Sequence, residues 1–321
     1  MGKYMIKMIS FLLLLGGLTA GILGLCAVCE PLDRCLAFLT CSEDYSREDV
    51  APEVLKTAQE SDNDYHSILV GDSVSYMLFA NAREVNDKIF LAGNTRPCTM
   101  ATQYVLVKKF VESHPAAKDV YLFYSKESWE SVIDVKCGYS YVIVPHMQAG
   151  TLKALEPETL DEAEGKFGPF LMTPFMANLF DRSFVNRKII LNSLLTYHED
   201  VLGEDLSAPF ERTYNQISPL ALQYFQKMTE VCKEHQVTLH LIHDPLADTP
   251  EKHEEVEQEK QMFMDAGLYN DWQEYFESVL YYPEEYFFDG VHFHVEKEMN
   301  NAVIHDIKEH TGLMQDLKLQ P

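Results

Sequence analysis

The sequence predicts an α/β protein, a three-layer sandwich in which a parallel sheet is flanked by helices, with one N-terminal transmembrane helix added. Three observations predict it. Short apolar runs alternate with stretches of helical periodicity from Ser67 to His310. Two of those runs break at glycines, Gly71 and Gly93. The segment from Met5 to Val28 is apolar and carries no charge after Lys7.

That first segment is long enough to span, since a bilayer-crossing helix needs roughly 20 apolar residues. Lys3 and Lys7 precede it, whereas Glu30, Asp33, Asp44 and Glu48 follow, so the positive-inside rule puts the N-terminus in the cytoplasm and the remainder outside. Leu18-Thr19-Ala20 and Ala27-Val28-Cys29 offer small-residue cleavage sites, which keeps a secretory signal as the competing reading. The length of the apolar stretch favours an uncleaved anchor over residues 1–29.

Residues 30–63 read as a polar stalk, and residues 64–321 as the folded domain. Ser67 to Val70 is the first strand, and Lys88 to Gly93 the second. Met100, Tyr104, Val107 and Val111 then recur at helical spacing until Pro115 stops the helix. Asp119 to Tyr124 is the third strand. The stretch from about Tyr139 to Asn215 interrupts the alternation as an insertion. Its Phe- and Met-rich run, Gly168 to Phe180, precedes Arg182, Arg187 and Lys188. An ordinary buried helix is the leading reading of that run; a lid, an acyl-chain groove and a docking face for a membrane partner are the others. Ser218-Pro219 caps a helix bearing Leu222, Phe225, Met228 and Cys232 on one face. Val237 to Ile242 is the fourth strand, and a last helix runs from near Glu296 to His310, with Gly312 as its stop.

A formal charge of -24 argues against nucleic acid as a partner and against direct attraction to anionic lipid surfaces. Seven cysteines permit disulfides outside the cell, with one left over. Cys98 and Cys137 lie on segments able to meet near the site, and Cys35 and Cys41 are spaced to close a small loop. Cys26-x-x-Cys29 reads as ordinary anchor residues.

The chemistry concentrates in two motifs. Ile68-Leu69-Val70-Gly71-Asp72-Ser73 is a buried strand breaking into a tight turn that lifts the Ser73 hydroxyl clear of the sheet. Asp289-Gly290-Val291-His292 supplies a carboxylate and an imidazole three residues apart. A serine hydroxyl needs a base to take its proton as it attacks; His292 is the candidate, with Asp289 orienting it. The backbone amides of Ser73 and Gly93, with the Asn94 side chain, are the candidate oxyanion donors. His292 and His294 with His240 and His243 also raise a metal site, although alternation along a strand turns such pairs apart. His114, His146, His198, His253 and His310 read as surface or loop residues.

Gly71-Asp72-Ser73, Gly93 and Asp289-x-x-His292 match the first, second and last blocks of the SGNH, or GDSL-type, hydrolase superfamily, which the chain resembles over about residues 66 to 310. Where that superfamily carries Gly-x-Asn-Asp, this chain has Ser125-Lys126-Glu127-Ser128. With one membrane helix and an outward-facing domain, it is similar to the DltD-like D-alanyl transfer proteins of teichoic acid modification. The resemblance implies an SGNH/flavodoxin-like sandwich and an acyl-serine intermediate at Ser73, followed by transfer to a cell-envelope hydroxyl or to water. It implies an acylated envelope polymer or glycan as substrate and a multi-pass membrane-bound O-acyltransferase as partner, with no cofactor. The alternative is a catalytically silent glycan-binding or scaffold subunit of such a complex, and metal-dependent hydrolysis comes third.

Overall fold

The computed structural model describes residues 2–26, 28–29, 31–33, 35–36, 51–61, 63–93, 99–135, 138–202 and 212–320. The chain divides into two compact units, one from 1–47 with 164–209, the other from 48–163 with 210–321. The interruption expected over 139–215 is therefore split: its central part groups with the N-terminal residues, and 139–163 stays with the larger unit.

In the smaller unit, α1 (Gly2–Cys26) is a single apolar helix. Its stretch Lys3–Cys26 has a mean hydropathy of 2.2, long and apolar enough to cross a membrane by length and composition. Helices α5 (Pro174–Arg182) and α6 (Phe184–Leu202) belong to the same unit. The Phe- and Met-rich run is only partly the buried helix expected. Met176, Ala177 and Phe180 of α5 are buried, while Phe170 and Phe175 stay exposed.

The larger unit is α/β. Its four strands, β1 (Ser67–Gly71), β2 (Ile89–Leu91), β3 (Asp119–Tyr124) and β4 (Thr238–His243), form one parallel sheet in the order β2-β1-β3-β4. Their bounds agree with the apolar runs to within two residues. These runs lack polar alternation because both faces are covered, as parallel sheets require. Leu69, Tyr121, Phe123 and Ile242 share a core with α2 (Ser73–Leu78) and α9 (Lys297–Thr311), through Val74, Leu78, Val303, Ile304 and Ile307. On the other face α3 (Met100–Ser113) packs along β1 and α7 (Pro219–Glu234) along β4, the two helices touching each other. Ser218 caps α7 by accepting from the Ala221 amide at 3.0 Å, and Gly312 ends α9 with a φ of 70°.

Part of the expected stalk belongs to this core. Residues Ala51–Thr57 are helical, and Leu55 and Ala58 are fully buried. Three histidines read as surface residues are also inside. His114 stacks on Phe110 with ring centroids 4.2 Å apart, His146 lies between Thr102 and Thr151, and His198 contacts the Lys166 carbonyl. Burial pushes His146 down to about 3, so it is neutral and serves packing. Cys26, Cys29, Cys35 and Cys232 are free thiols, whereas Cys41, Cys98 and Cys137 lie outside the described residues.

Leu69 has no exposed surface and packs in the core that also contains Val74 and Leu78 of α2. Leu69→Ala should lower unfolding stability by about 2 to 5 kcal/mol, read as a reduced urea midpoint.

Candidate active site

The site forms where the strands end. Asp72 and Ser73 follow β1, Ser125 to Ser128 follow β3, and Asp244 follows β4. Strand order reverses between β1 and β3, where a crevice opens at the carboxyl edge of a parallel sheet. A cavity of about 320 Å³ lies there, and its wall includes Ser73, Ser125, Ser128, Asp244 and His292.

Ser73 is the first residue of α2, so its amide is among those a helix leaves unpaired. Asp72 caps that helix, its Oδ1 accepting from the Val74 amide at 2.9 Å. Its Oδ2 accepts from Ser128 Oγ at 2.5 Å. The turn is tight enough to exclude side chains at both glycines. A Cβ on Gly71 would strike the Ser75 hydroxyl and lie 2.8 Å from the Phe123 carbonyl; one on Gly93 would lie 2.9 Å from Ser75 Oγ. Gly93 is thus held against the first turns of α2, and its carbonyl accepts from Arg83 Nη2 at 2.8 Å. Asn94, the third candidate oxyanion donor, lies outside the described residues.

The second motif arrives on a short hairpin. Phe287 and Phe293 are buried with ring centroids 4.4 Å apart and pair as an antiparallel bridge. Between them the Phe288 amide donates to the His292 carbonyl at 3.0 Å. Gly290 turns the chain with a φ of 80°, in the left-handed region that favours glycine. Asp289 Oδ1 accepts from the amides of Val291 at 3.0 Å and His292 at 2.7 Å. Its Oδ2 lies 2.7 Å from His292 Nδ1, and His292 Nε2 lies 2.8 Å from Ser73 Oγ. The carboxylate only accepts, so Nδ1 carries the ring proton, and Nε2 accepts from the serine hydroxyl.

Partial burial of Asp289 opposes its ionisation, but the His292 amide and imidazole and the Val291 amide outweigh it, holding the carboxyl below its usual range. Asp72 shifts the other way. Burial raises it, and the Ser128 hydroxyl, the Val74 amide and the nearby His292 only partly offset that. Asp244 is raised well above the ordinary value by burial and then by Asp72 and Glu259. Neither of its carboxyl oxygens has a hydrogen-bond partner, so nothing offsets the cost of burying its charge.

The structure brings together Ser73, Asp289 and His292, and sets Gly93 beside α2. The four histidines weighed as metal ligands do not gather. His240 Nε2 is 2.9 Å from Asp119, and His243 Nε2 is 2.9 Å from buried Glu259. Among the described residues no group of three or more His, Cys, Asp or Glu is placed to hold a metal ion. Residue order alone did not single out Ser128, Asp244 or Gln103, whose Nε2 donates to the Gly71 carbonyl at 2.7 Å. A signal existed for two of them, since Asp244 directly follows β4 and Ser128 stands in the segment after β3, at the strand ends where parallel sheets bind ligands. No family model, curated protein or solved structure matches the chain.

The depressed Asp289 value fixes the sign of a pH effect. Its stabilising contribution is complete above the unfolded-state value, ordinarily about 3.9, and is lost as pH falls through the lower folded value. The stability difference between wild type and Asp289→Asn should therefore be constant at neutral pH and shrink below about pH 4 in urea unfolding.

Proposed function

We propose that the chain is a membrane-anchored, extracytoplasmic serine esterase or O-acyltransferase of the SGNH type, DltD-like, acting on an acylated cell-envelope polymer or glycan. One observation carries the reading: Ser73 Oγ, His292 and Asp289 form a continuous hydrogen-bonded relay of 2.8 Å and 2.7 Å. In this reading Ser73 Oγ attacks the acyl carbonyl while His292 Nε2 takes its proton. Asp289 stabilises the imidazolium. The amides of Ser73 and Gly93, with the Asn94 side chain, hold the oxyanion. Collapse expels the alcohol, which takes the proton from His292 and leaves an acyl ester on Ser73. A second hydroxyl, from water or from an envelope acceptor, gives its proton to His292 and attacks that ester, restoring the serine.

Ser125, Lys126, Ser128, Ser131 and Arg212 set polar groups in a cavity wall that is otherwise largely apolar, which supports a substrate carrying both an acyl group and hydroxyls. The apolar α1 supports the anchor, and Lys3 and Lys7 before it support a cytoplasmic N-terminus. A multi-pass membrane-bound O-acyltransferase is the partner that this reading implies. Ser125-Lys126-Glu127-Ser128 in place of Gly-x-Asn-Asp favours a second reading, a catalytically silent glycan-binding or scaffold subunit of the same complex.

A fluorophosphonate separates the two. Intact mass spectrometry of the full chain should show one adduct on Ser73, absent from Ser73→Ala and His292→Ala. Asp289→Asn should slow labelling strongly, by a factor that reaches about 10⁴ where a triad carboxylate sets the histidine tautomer. A folded wild-type chain that takes no adduct would favour the silent subunit.

A further inference from the structure

The loop entering α5 presents its apolar side chains to the outside although its neighbours are packed. Phe170 is 65% exposed and Phe175 66% exposed, with Leu171 and Met172 half-buried between them. This is a built turn. The Thr173 amide and hydroxyl both donate to the Phe170 carbonyl, at 3.3 and 2.8 Å, and Thr173 Oγ1 accepts from the Met176 amide at 3.4 Å. One turn further on, Met176, Ala177 and Phe180 are buried. The segment already has its inner face, and the two phenylalanines are held away from it. A paired aromatic exposure of this kind marks an interaction surface.

The rest of the same unit says what covers it. The exposed apolar length of α1 ends at Cys26, which is buried where the helix meets the unit. Helix α6 contacts α1, and the Asp33 carboxylate, seven residues beyond Cys26, accepts from the Val185 amide of α6 at 3.2 Å. Helix α5 packs along α6. The turn and α5 are thus tied, through α6, to the end of the spanning helix. Exposed aromatics on a unit tied to the end of a spanning helix suit the boundary between headgroups and acyl chains.

We infer that the Phe170–Phe175 turn is inserted in the bilayer interface, so that the protein holds its membrane by a spanning helix and by an interfacial aromatic turn together. The inference rests on the reading that α1 spans. The turn then limits tilting of α1, which a single helix alone leaves free.

The test is tryptophan quenching in the full chain, reconstituted in nanodiscs of phosphatidylcholine and phosphatidylglycerol with and without brominated acyl chains. Phe170→Trp and Phe175→Trp are read against Phe11→Trp at the middle of α1, with wild type giving the background of Trp129 and Trp272. Blue-shifted added emission that brominated lipid largely removes at positions 170 and 175, as at position 11, supports the insertion. Quenching at position 11 with water-like, unquenched emission at 170 and 175 overturns it and leaves the anchor intact. Blue-shifted but unquenched emission at 170 and 175 means that protein, such as a second copy of the chain, covers the turn, and also overturns it. Absence of quenching at position 11 overturns the anchor reading and the insertion with it.

Discussion

Ser73 Oγ and His292 Nε2 meet at 2.8 Å although 219 residues separate them, and the design of the larger unit follows from holding that contact. Each partner is fixed by an anchor of its own. Ser73 leaves the sheet at the end of β1, where Asp72 caps α2 and glycines at 71 and 93 let the backbones approach Ser75. His292 rides on a hairpin whose flanking residues, Phe287 and Phe293, are sunk in the core. That core also contains Leu69, Val74 and the inward face of α9, so the same packing that stabilises the domain sets the distance between Ser73 and His292. A hydrogen bond of this kind contributes little net stability. Its geometry is inherited from apolar burial on both sides.

Below the cavity lies a layer of buried polar groups whose charges are managed individually. Ser128 ties the turn after β3 to Asp72, and Trp129, next in sequence, is locked by edge-on contacts with Tyr124, Phe225 and Phe263. His243 is paired with Glu259, whose other oxygen is 2.6 Å from the Tyr275 hydroxyl. Asp244 has no such partner, and burial raises its carboxyl well above the ordinary range. Burial of an unpaired charge is far costlier than burial of a neutral acid, which explains why this carboxyl is raised so strongly while Asp289, half open to solvent and bonded to three donors on one neighbouring turn, is lowered. Two aspartates of the same site are thereby shifted in opposite directions by their surroundings.

The smaller unit shows a different use of apolar residues. Helix α5 buries Met176 and Phe180 as an ordinary amphipathic helix does, yet Phe170 and Phe175 in the turn before it stay outside. A run rich in Phe and Met does not reveal how many of its members face inward, because that depends on which neighbours arrive. Here the neighbour is α6, which in turn contacts α1 and donates its Val185 amide to Asp33.

Sequence by itself determined the elements that depend on local order. Unalternated apolar runs gave β1 to β4 nearly their observed bounds, Ser218-Pro219 and Gly312 delimited helices, and an uncharged N-terminal stretch became α1. Gly71, Asp72, Ser73, Asp289 and His292 were also legible, since the turn and the Asp-x-x-His spacing are local geometry. Tertiary structure decided everything that needed a distant partner. Leu55 and Ala58 looked like stalk until helices 100–113 and 144–149 gave them a surface to bury against. His114, His146 and His198 became interior for the same reason. Ser128, Gln103 and Asp244 acquired roles only when the sheet brought the ends of β1, β3 and β4 side by side. Periodicity reports which face of an element is apolar, whereas the identity of the group opposite is set by a fold that joins residues hundreds of positions apart.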